Sequence, residues 1–559
     1  MATLNSSPDE GTPLLSMPPK SPTTSSFARL SKSILETLAI SRSYRAWSPR
    51  LLLTFVLATL FWIEFGGYLM AVPGLRIYED IICHHYYDNL HGDGNVMEDG
   101  NIDESMCKID SIQNELSTIV AALHFLEAIP GLVTTIPYGM LMDRIGRKPI
   151  FILAMAGVVL DVMWRNMVMW FWRTLPLRLV LIGPVFTLIG GGSSVGSMAF
   201  FAITIDFTAE DKRTDIFFLA AATNLITELI APSMAAILMA KSPWIPLILG
   251  TCVLTIGSLL ILFIPETLNV PPQTTTASQP NSSPSSHGFP SSSKRQGSLL
   301  IRMRDQFSTS LRNLISSFSI LDSVPLILLL GTSIIQPFTI QSVDISLRYV
   351  SNRFHFSLRY SSFLWSLRAA VQIILYLIMI PSLSYIMTNQ LHVPSSKKDL
   401  YLAQASILIL TIGSVLIAAS PTLPLAVLGM TVFTLGTGYL PLARSLMTRL
   451  VDQRHTGRLY AAVAFVETIG KLIAGPGLAQ LYIVGLRLKG AWAGLPFFGL
   501  GVICGVSGVA VWSAAWVMSR RGWEWKSDGD GAVGEAYRRE EDNILQPNIE
   551  GEANRSETE

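Results

Sequence analysis

The sequence predicts an all-α integral membrane protein with twelve transmembrane helices in two pseudo-symmetric six-helix bundles. Of its 559 residues, 50% are hydrophobic and only 14% are charged, whereas soluble globular domains carry roughly a quarter charged residues. An apolar run of about 18 or more residues is long enough to cross a bilayer, and the chain contains about twelve such runs. This composition excludes a soluble globular protein.

The predicted helices form two groups of six. The first group covers residues 51–72, 117–138, 149–170, 179–205, 217–240 and 244–264. The second group covers residues 324–345, 362–386, 400–419, 423–446, 460–481 and 492–518. Glycine and proline inside these runs are compatible with helices because neighbouring helices satisfy the freed backbone groups.

Polar segments divide the chain into regions. Ser- and Pro-rich tracts cannot bury a core, so they predict disorder, and the distribution of Lys and Arg predicts that both termini are cytosolic. We therefore expect a disordered cytoplasmic tail at 1–50, a first bundle at 51–264 with an extracytoplasmic loop at 73–113, a disordered cytoplasmic linker at 265–322, a second bundle at 323–518 and a cytoplasmic tail at 519–559.

The loop at 73–113 contains two of the four cysteines, Cys83 and Cys107. In an oxidising extracytoplasmic space they can form a disulfide, with two free thiols as the alternative. His84 and His85 lie beside Cys83, but no second spaced ligand pair accompanies them, so no metal site is predicted.

A short charged hairpin at residues 139–148 separates the second and third apolar runs. Its pattern is G-x-L-x-D-R-x-G-R-K, from Gly139 through Asp143 and Gly146 to Lys148. The glycines allow close helix approach and a sharp turn, and the aspartate can interact with a helix N-terminus. The basic residues, Arg144, Arg147 and Lys148, are expected to stay in water on the cytoplasmic side. An ordinary cytoplasmic loop would explain the basic residues but not the aspartate and the two glycines.

This pattern resembles the loop between helices 2 and 3 of major facilitator superfamily transporters, where it is a gating motif. The ending Pro-Glu-Thr-Leu at 265–268 and the Gly-rich stretch at 187–192 are similar to fungal twelve-helix members, many of which export drugs or secondary metabolites. The resemblance implies the major facilitator fold, a fungal source and a secondary active carrier. The second-half copy of the loop, at 388–399, keeps Lys397 and Lys398 but lacks the Asp-Arg pair, and helix 5 has Ala231-Pro232 in place of Gly-Pro. These departures weaken the expectation of antiport but not that of transport.

Charged residues inside the predicted helices are candidates for proton and substrate binding, because a charge at the bilayer centre costs roughly 2.5–3.5 kcal/mol. Three acids have no basic residue one helical turn away, and we expect one or more of them to carry the coupling proton. We expect Arg368, in the second bundle, to attract an anionic substrate group or to hold one of the acids. The candidates are Glu64, His124, Glu127, Glu228 and Arg368.

Other intramembrane charges have a structural explanation. Asp161 and Arg165 are four residues apart, as are Glu467 and Lys471, so each pair can neutralise itself locally. Arg444 lies near the cytoplasmic end of its helix and is expected to extend towards water.

The sequence therefore predicts a proton-coupled carrier that exports an amphipathic small organic molecule by alternating access. Two alternatives stay open, a proton-coupled importer of a nutrient or vitamin and a non-transporting receptor with a carrier fold. The chain lacks the G-x-x-x-x-G-K-[ST] loop of ATP-driven pumps and shows no catalytic triad, so we expect neither an ATP pump nor an enzyme.

The expected partners are a small-molecule substrate, protons and the lipid bilayer, without nucleic acid or a cofactor. A monomer is the working expectation for the oligomeric state, which the sequence does not fix. The plasma membrane is the favoured location. The segment from Glu10 to Leu14 and Leu15 resembles an acidic dileucine signal and makes the vacuolar membrane the alternative.

Overall fold

The computed structural model describes residues 49–91, 102–208, 213–267, 323–393, 395–451 and 456–520. In these ranges the chain is helical apart from short connections, and no strand occurs in them. Eleven of the helices described here are long and apolar enough to cross a membrane. A twelfth unit is interrupted, as described below. The prediction of an all-α membrane protein is confirmed.

Six helical units make up each half of the chain. In the first half they are α1 Pro49–His91, α2 Asp110–Ile145, α3 Arg147–Trp170, α4 in two pieces (Leu177–Phe186 and Gly192–Asp206), α5 Arg213–Leu238 and α6 Trp244–Phe263. In the second half they are α7 Val324–Arg353, α8 Leu358–Gln390, α9 Ser395–Ala419, α10 Leu423–Arg449, α11 Thr456–Leu488 and α12 Gly490–Arg520. Helix α7 is interrupted at 333–334 and α10 at 437–438.

Helix α1 is much longer than predicted. The expectation that it ends at Val72 and gives way to a loop over 73–113 is wrong, because the helix continues through Pro73 to His91. A disulfide joins Cys83 in this extension to Cys107, with the two Cα atoms 5.4 Å apart. Its apolar residues Leu75, Ile77, Ile81 and Ile82 are also buried. Of its charged residues, Glu79 contacts Lys108 and Gln113, and Arg76 contacts Glu104.

Helix α4 is interrupted where a continuous helix is predicted over 179–205. The backbone φ angles of Gly190, Gly191 and Gly192 are +96°, +84° and +61°, a region that side-chain-bearing residues rarely adopt. A Cβ atom on Gly190 would lie 2.3 Å from the carbonyl carbon of Leu153. The glycines therefore end the first piece of α4 and allow its backbone to pack directly on α3.

The two halves meet through symmetric helix pairs, α2 with α11 and α5 with α8. We call the end of the bundle that carries the disulfide the outer end and the end that carries the 139–148 hairpin the inner end. One buried apolar cluster at the outer end contains Tyr78 and Leu123 from the first half together with Leu347 and Leu358 from the second. The halves are therefore closed together at the outer end.

Candidate functional site

The hairpin at 139–148 is organised by the carboxylate of Glu266. Helix α2 ends at Gly146, whose φ is +114°, and α3 begins at the next residue. The Glu266 carboxylate accepts hydrogen bonds from the backbone N–H groups of Arg147, at 2.9 Å, and Lys148, at 3.1 Å. A Cβ atom on Gly146 would lie 2.4 Å from this carboxylate. Glu266 thus caps the N-terminus of α3.

The sequence predicts that the three basic residues of the hairpin stay in water. In the structure two of them instead contact other protein groups. The side chain of Arg147 lies 3.3 Å from Asp206 at the end of α4, and Lys148 is buried and donates a hydrogen bond of 2.9 Å to the carbonyl of Leu262. Arg144 is exposed. Gly139 packs near a methionine of α4, and the side chain of Asp143 lies outside the described part of the chain.

The second half keeps an ion pair at the equivalent place, with its charges exchanged. In the first half the arginine begins α3 and the aspartate ends α4, whereas Asp399 lies near the start of α9 and Arg449 ends α10. The two side chains are 3.4 Å apart. The 388–399 segment lacks the Asp-Arg pair of the hairpin, but Asp399 still forms an ion pair with a residue of another helix, and a motif comparison does not detect such a pair.

A continuous chain of charged side chains crosses between the halves near mid-membrane. Arg165 of α3 contacts Asp161 and donates a hydrogen bond of 2.8 Å to Glu127 of α2. His124 lies 3.7 Å from Glu127 through one ring nitrogen and 3.8 Å from Asp344 of α7 through the other. The imidazole of His124 is thus the link between a carboxylate of the first half and a carboxylate of the second.

This chain corrects one expectation and adds two residues. Glu127 is not unpaired, because its partner Arg165 comes from the next helix and not from the next turn. Asp344 and Arg348 are not among the predicted candidates: Asp344 is an acid inside the predicted helix 324–345 that the sequence analysis does not include, and Arg348 falls outside that helix. They form an ion pair of 2.9 Å. Their i,i+4 spacing in an apolar run is the signal that could have identified them.

A second ion pair between the halves joins Glu228 of α5 to Arg368 of α8. The indole N–H of Trp365 donates a further hydrogen bond of 2.9 Å to the same carboxylate. Glu228 is therefore not the unpaired acid that its own helix suggests. The contact agrees with the expectation that Arg368 holds one of the three acids, but sequence spacing does not reveal which acid it holds.

The remaining second-half charges pair differently from the predictions. Arg444 lies 2.6 Å from Glu467 and donates a hydrogen bond of 2.5 Å to Gln336. The expected pair of Glu467 with Lys471 is wrong, and Lys471 is exposed. Arg444 does not simply extend to water, because two acceptors on neighbouring helices hold its guanidinium.

Two cavities lie between the halves. A cavity of about 450 Å³ is lined by the charged chain, including His124, Glu127 and Asp344, and by Trp365. A larger cavity of about 780 Å³ lies towards the inner end, and among the described residues that line it Glu64 is the acid. Among the residues that the structure describes, Glu64 takes part in no ion pair or hydrogen bond.

The outer end is fastened by Glu104, which lies three residues before the disulfide cysteine Cys107. Its carboxylate accepts hydrogen bonds of 2.8 Å from the backbone N–H of Leu358 and from the hydroxyl of Ser357, at the start of α8 in the other half. Burial opposes its charged form, but Lys108, at 3.0 Å, and Arg76, at 3.7 Å, hold the pKa of Glu104 below its usual value. The outer contact is thus charge-assisted.

Comparison with known proteins identifies the family. The model of the Major Facilitator Superfamily matches residues 109–475. The chain is 31% identical over 452 residues to the MFS efflux pump atnC of Emericella nidulans, covering 80% of this chain and 84% of that protein. It is also 31% identical over 452 residues to the efflux pump ustT of Aspergillus flavus, covering 80% and 85%.

Solved structures agree on the fold. The D-xylose-proton symporter superposes with a TM-score of 0.53 at 12% identity, covering 82% of this chain and 97% of that one. A peptide transporter POT in complex with alafosfalin gives 0.54 at 16% identity, covering 89% and 99%. The predicted resemblance to fungal efflux-type members is confirmed. The chain belongs to the major facilitator superfamily and is a membrane transporter, not an enzyme.

Proposed function

We propose that this transporter exports an amphipathic small organic molecule, such as a fungal secondary metabolite, in exchange for protons. The observation that carries the proposal is the imidazole of His124, which lies between Glu127 of one half and Asp344 of the other and lines a cavity at their interface. In an alternating-access carrier, the two halves rock about such a central site. A titratable bridge at this place would couple the rocking to a proton.

The coupling proton is assigned to His124 and Glu64. The sequence predicts it at Glu64, Glu127 or Glu228, but the last two contact arginines. A protonated imidazole attracts both flanking carboxylates, and its deprotonation removes that attraction. Release of the proton into the cavity would therefore loosen the link between the halves.

Export is supported by the relatives, two of which are named efflux pumps. In the orientation predicted from the basic residues, the outer end is closed and the larger cavity lies on the cytosolic side, where an exported substrate would enter. The same similarity disfavours the alternatives of a nutrient importer and a non-transporting receptor. We propose the plasma membrane as the location, in keeping with export from the cell.

Deletion of the gene and measurement of secretion test the proposal. If biosynthetic genes adjoin it, loss of the transporter should reduce secretion of their product, and the wild-type chain should restore it. The variants His124→Gln and Glu64→Gln should reach the membrane and fail to restore secretion. Glu115→Gln, a change at an exposed acid at the outer end, is the matched control and should restore it.

Two results would contradict the proposal. Normal secretion and tolerance of the product in the deletion strain would rule out export of that product. Full secretion by both the His124 and the Glu64 variants would rule out their role in proton coupling.

Imaging of a tagged chain tests the location separately. The dileucine-like segment with Leu14 and Leu15 lies outside the described residues. Tagged wild-type protein should label the cell surface, and replacing both leucines by alanine should leave that pattern unchanged. Vacuolar labelling that is lost in the double variant would contradict the plasma-membrane assignment.

A further inference from the structure

We infer that the larger cavity selects amphipathic cations, such as a protonated amine on an apolar body, through the carboxylate of Glu64. The inference rests on the proposed export function and names the substrate class that this cavity would carry. Glu64 differs from the other acids around the two cavities in its lack of a basic partner among the described residues.

Those other acids are already compensated. Each contacts a basic side chain, in the pairs Glu127–Arg165, Asp344–Arg348, Glu228–Arg368 and Glu467–Arg444. Among the described residues Glu64 has no such contact, although it lies near enough to Glu228 for the two charges to interact. Of the two described charged residues that line the larger cavity, Glu64 and Arg444, the arginine is paired with Glu467. The uncompensated charge of the described wall is therefore the carboxylate of Glu64.

The rest of the cavity wall is suited to an apolar molecule. Its volume of about 780 Å³ falls in the range of roughly 300–1,000 Å³ typical of small-molecule sites. Aliphatic and aromatic side chains from α1, α3 and α4 line it, among them Leu60, Ile63, Phe151, Met155, Phe200 and Phe201. An apolar body gains by leaving water for this wall. Aromatic rings also attract a cation through their faces.

Among the described residues that line the same cavity, the basic one is Arg444, and alone it would favour an anion. Its guanidinium is engaged by Glu467 at 2.6 Å and by Gln336 at 2.5 Å. An anionic substrate would meet a guanidinium whose charge Glu467 already neutralises, whereas a cation meets the carboxylate of Glu64, which has no basic partner among the described residues. The geometry therefore favours the cation.

Equilibrium binding of two probes to the purified full-length protein tests the inference. Tetraphenylphosphonium and tetraphenylborate have nearly the same shape and opposite charge. The wild-type protein should bind the cation at least about tenfold more tightly, because a charge-assisted contact distinguishes the two. Glu64→Gln should remove that preference, and the exposed control Glu115→Gln should keep it.

A charge-restoring variant shows whether the effect is electrostatic. Asn224 lines the same cavity as Glu64. Adding Asn224→Asp to Glu64→Gln returns a carboxylate to the wall and should recover binding of tetraphenylphosphonium. Thermal unfolding of each variant confirms that the protein compared is folded.

Some outcomes would overturn the inference. Equal affinity of wild type and Glu64→Gln for tetraphenylphosphonium would do so, as would tighter binding of tetraphenylborate that is lost in Arg444→Gln. Metabolite export without Glu64-dependent cation binding would overturn the substrate class and leave the transporter intact. Glu64-dependent cation binding without proton-driven flux would support the cation site and overturn the proton coupling.

Discussion

At the inner end of the bundle, the described contacts of Arg147 and Lys148 in the 139–148 hairpin lie within the first half, whereas at the outer end the contacts of Glu104 cross to the second half. Arg147 binds Asp206, and Glu266 caps α3, all in one half. Glu104 instead binds the start of α8. Contacts within a half can persist while the halves rock, but contacts between halves must break. The described contacts of the hairpin thus organise its own half in this conformation, and the contacts of Glu104 help to hold the halves together at the outer end.

The largest effect is expected from Gly146→Ala. The new Cβ would collide with Glu266 in a backbone conformation that disfavours alanine, so the free energy of unfolding should fall by about 3 kcal/mol. Thermal unfolding in detergent measures this. Because the contact lies within one half, the stability loss should be similar whichever conformation the protein adopts.

Gly67→Ala provides the matched control. Gly67 also lies in a helix of the first half, but a Cβ atom there would meet no atom within 4 Å. Its substitution should leave the unfolding temperature unchanged or slightly raised, since alanine has a higher helix propensity than glycine. Equal losses in the two variants would contradict the special role of the hairpin glycine.

A conformational effect is expected from Glu104→Gln. The glutamine amide has one acceptor oxygen and no charge, so the contact with α8 should weaken by about 1.5–3 kcal/mol. This loss should shift the equilibrium roughly tenfold or more towards conformations that are open at the outer end. Stability to heat should change little. Spin labels on cysteines introduced at Asn89 and Trp492, in a chain without Cys252 and Cys504, report the distance between the halves at this end.

Asp103→Asn is the control for this experiment. Asp103 belongs to the same segment, but its carboxylate accepts a hydrogen bond only from Ser105, at 2.8 Å, among the contacts described. The label distance should therefore match that of the wild type. If Glu104→Gln gives the same distances as Asp103→Asn, the crossing contact does not hold the outer end closed.

The apolar runs of the sequence were sufficient to predict twelve helical units, because burial in lipid imposes a minimum length on each. They did not predict the extension of α1. The charge of Glu79 is typical of a loop residue. In the structure, however, the Lys108 ammonium lies 2.7 Å from the Glu79 carboxylate and neutralises it. Such a partner comes from another segment, and no periodicity within α1 encodes it.

Partners from other helices are even harder to predict at the candidate functional site. The candidate residues include His124, Glu127, Glu228 and Arg368, which the structure brings into contacts between helices. Which acid is paired depends on the rotation of each helix, and a single sequence does not specify those rotations. Local spacing therefore identified Asp161 with its arginine but assigned the wrong status to Glu127 and Glu228.

The pH dependence of closure tests the role of Glu104 at the outer end. Lys108 and Arg76 lower the pKa of Glu104 from its ordinary value of 4.5, and the hydrogen bonds from Leu358 and Ser357, which closure supplies, lower it further. The charged contact therefore contributes fully above the ordinary value and is lost as the pH falls through the lowered one. The label distance should stay constant between about pH 8 and 5.5 and lengthen only below the ordinary value. Glu104→Gln should remove this acid-dependent change. An opening midpoint above pH 5.5 in the wild type would show that another group controls closure.

The smallest effect is expected from Lys489→Ala, which removes another contact between the halves at the outer end. Lys489 lies 3.8 Å from Asp110, and the two side chains are 77% and 45% exposed. Water screens such a pair, so closure should weaken by ~0.3 kcal/mol or less. The label distance should be indistinguishable from that of the wild type. If this variant opens the outer end as far as Glu104→Gln does, the number of contacts between the halves matters more than their burial. The hydrogen bonds from the start of α8 to Glu104 would then not be what holds the outer end closed.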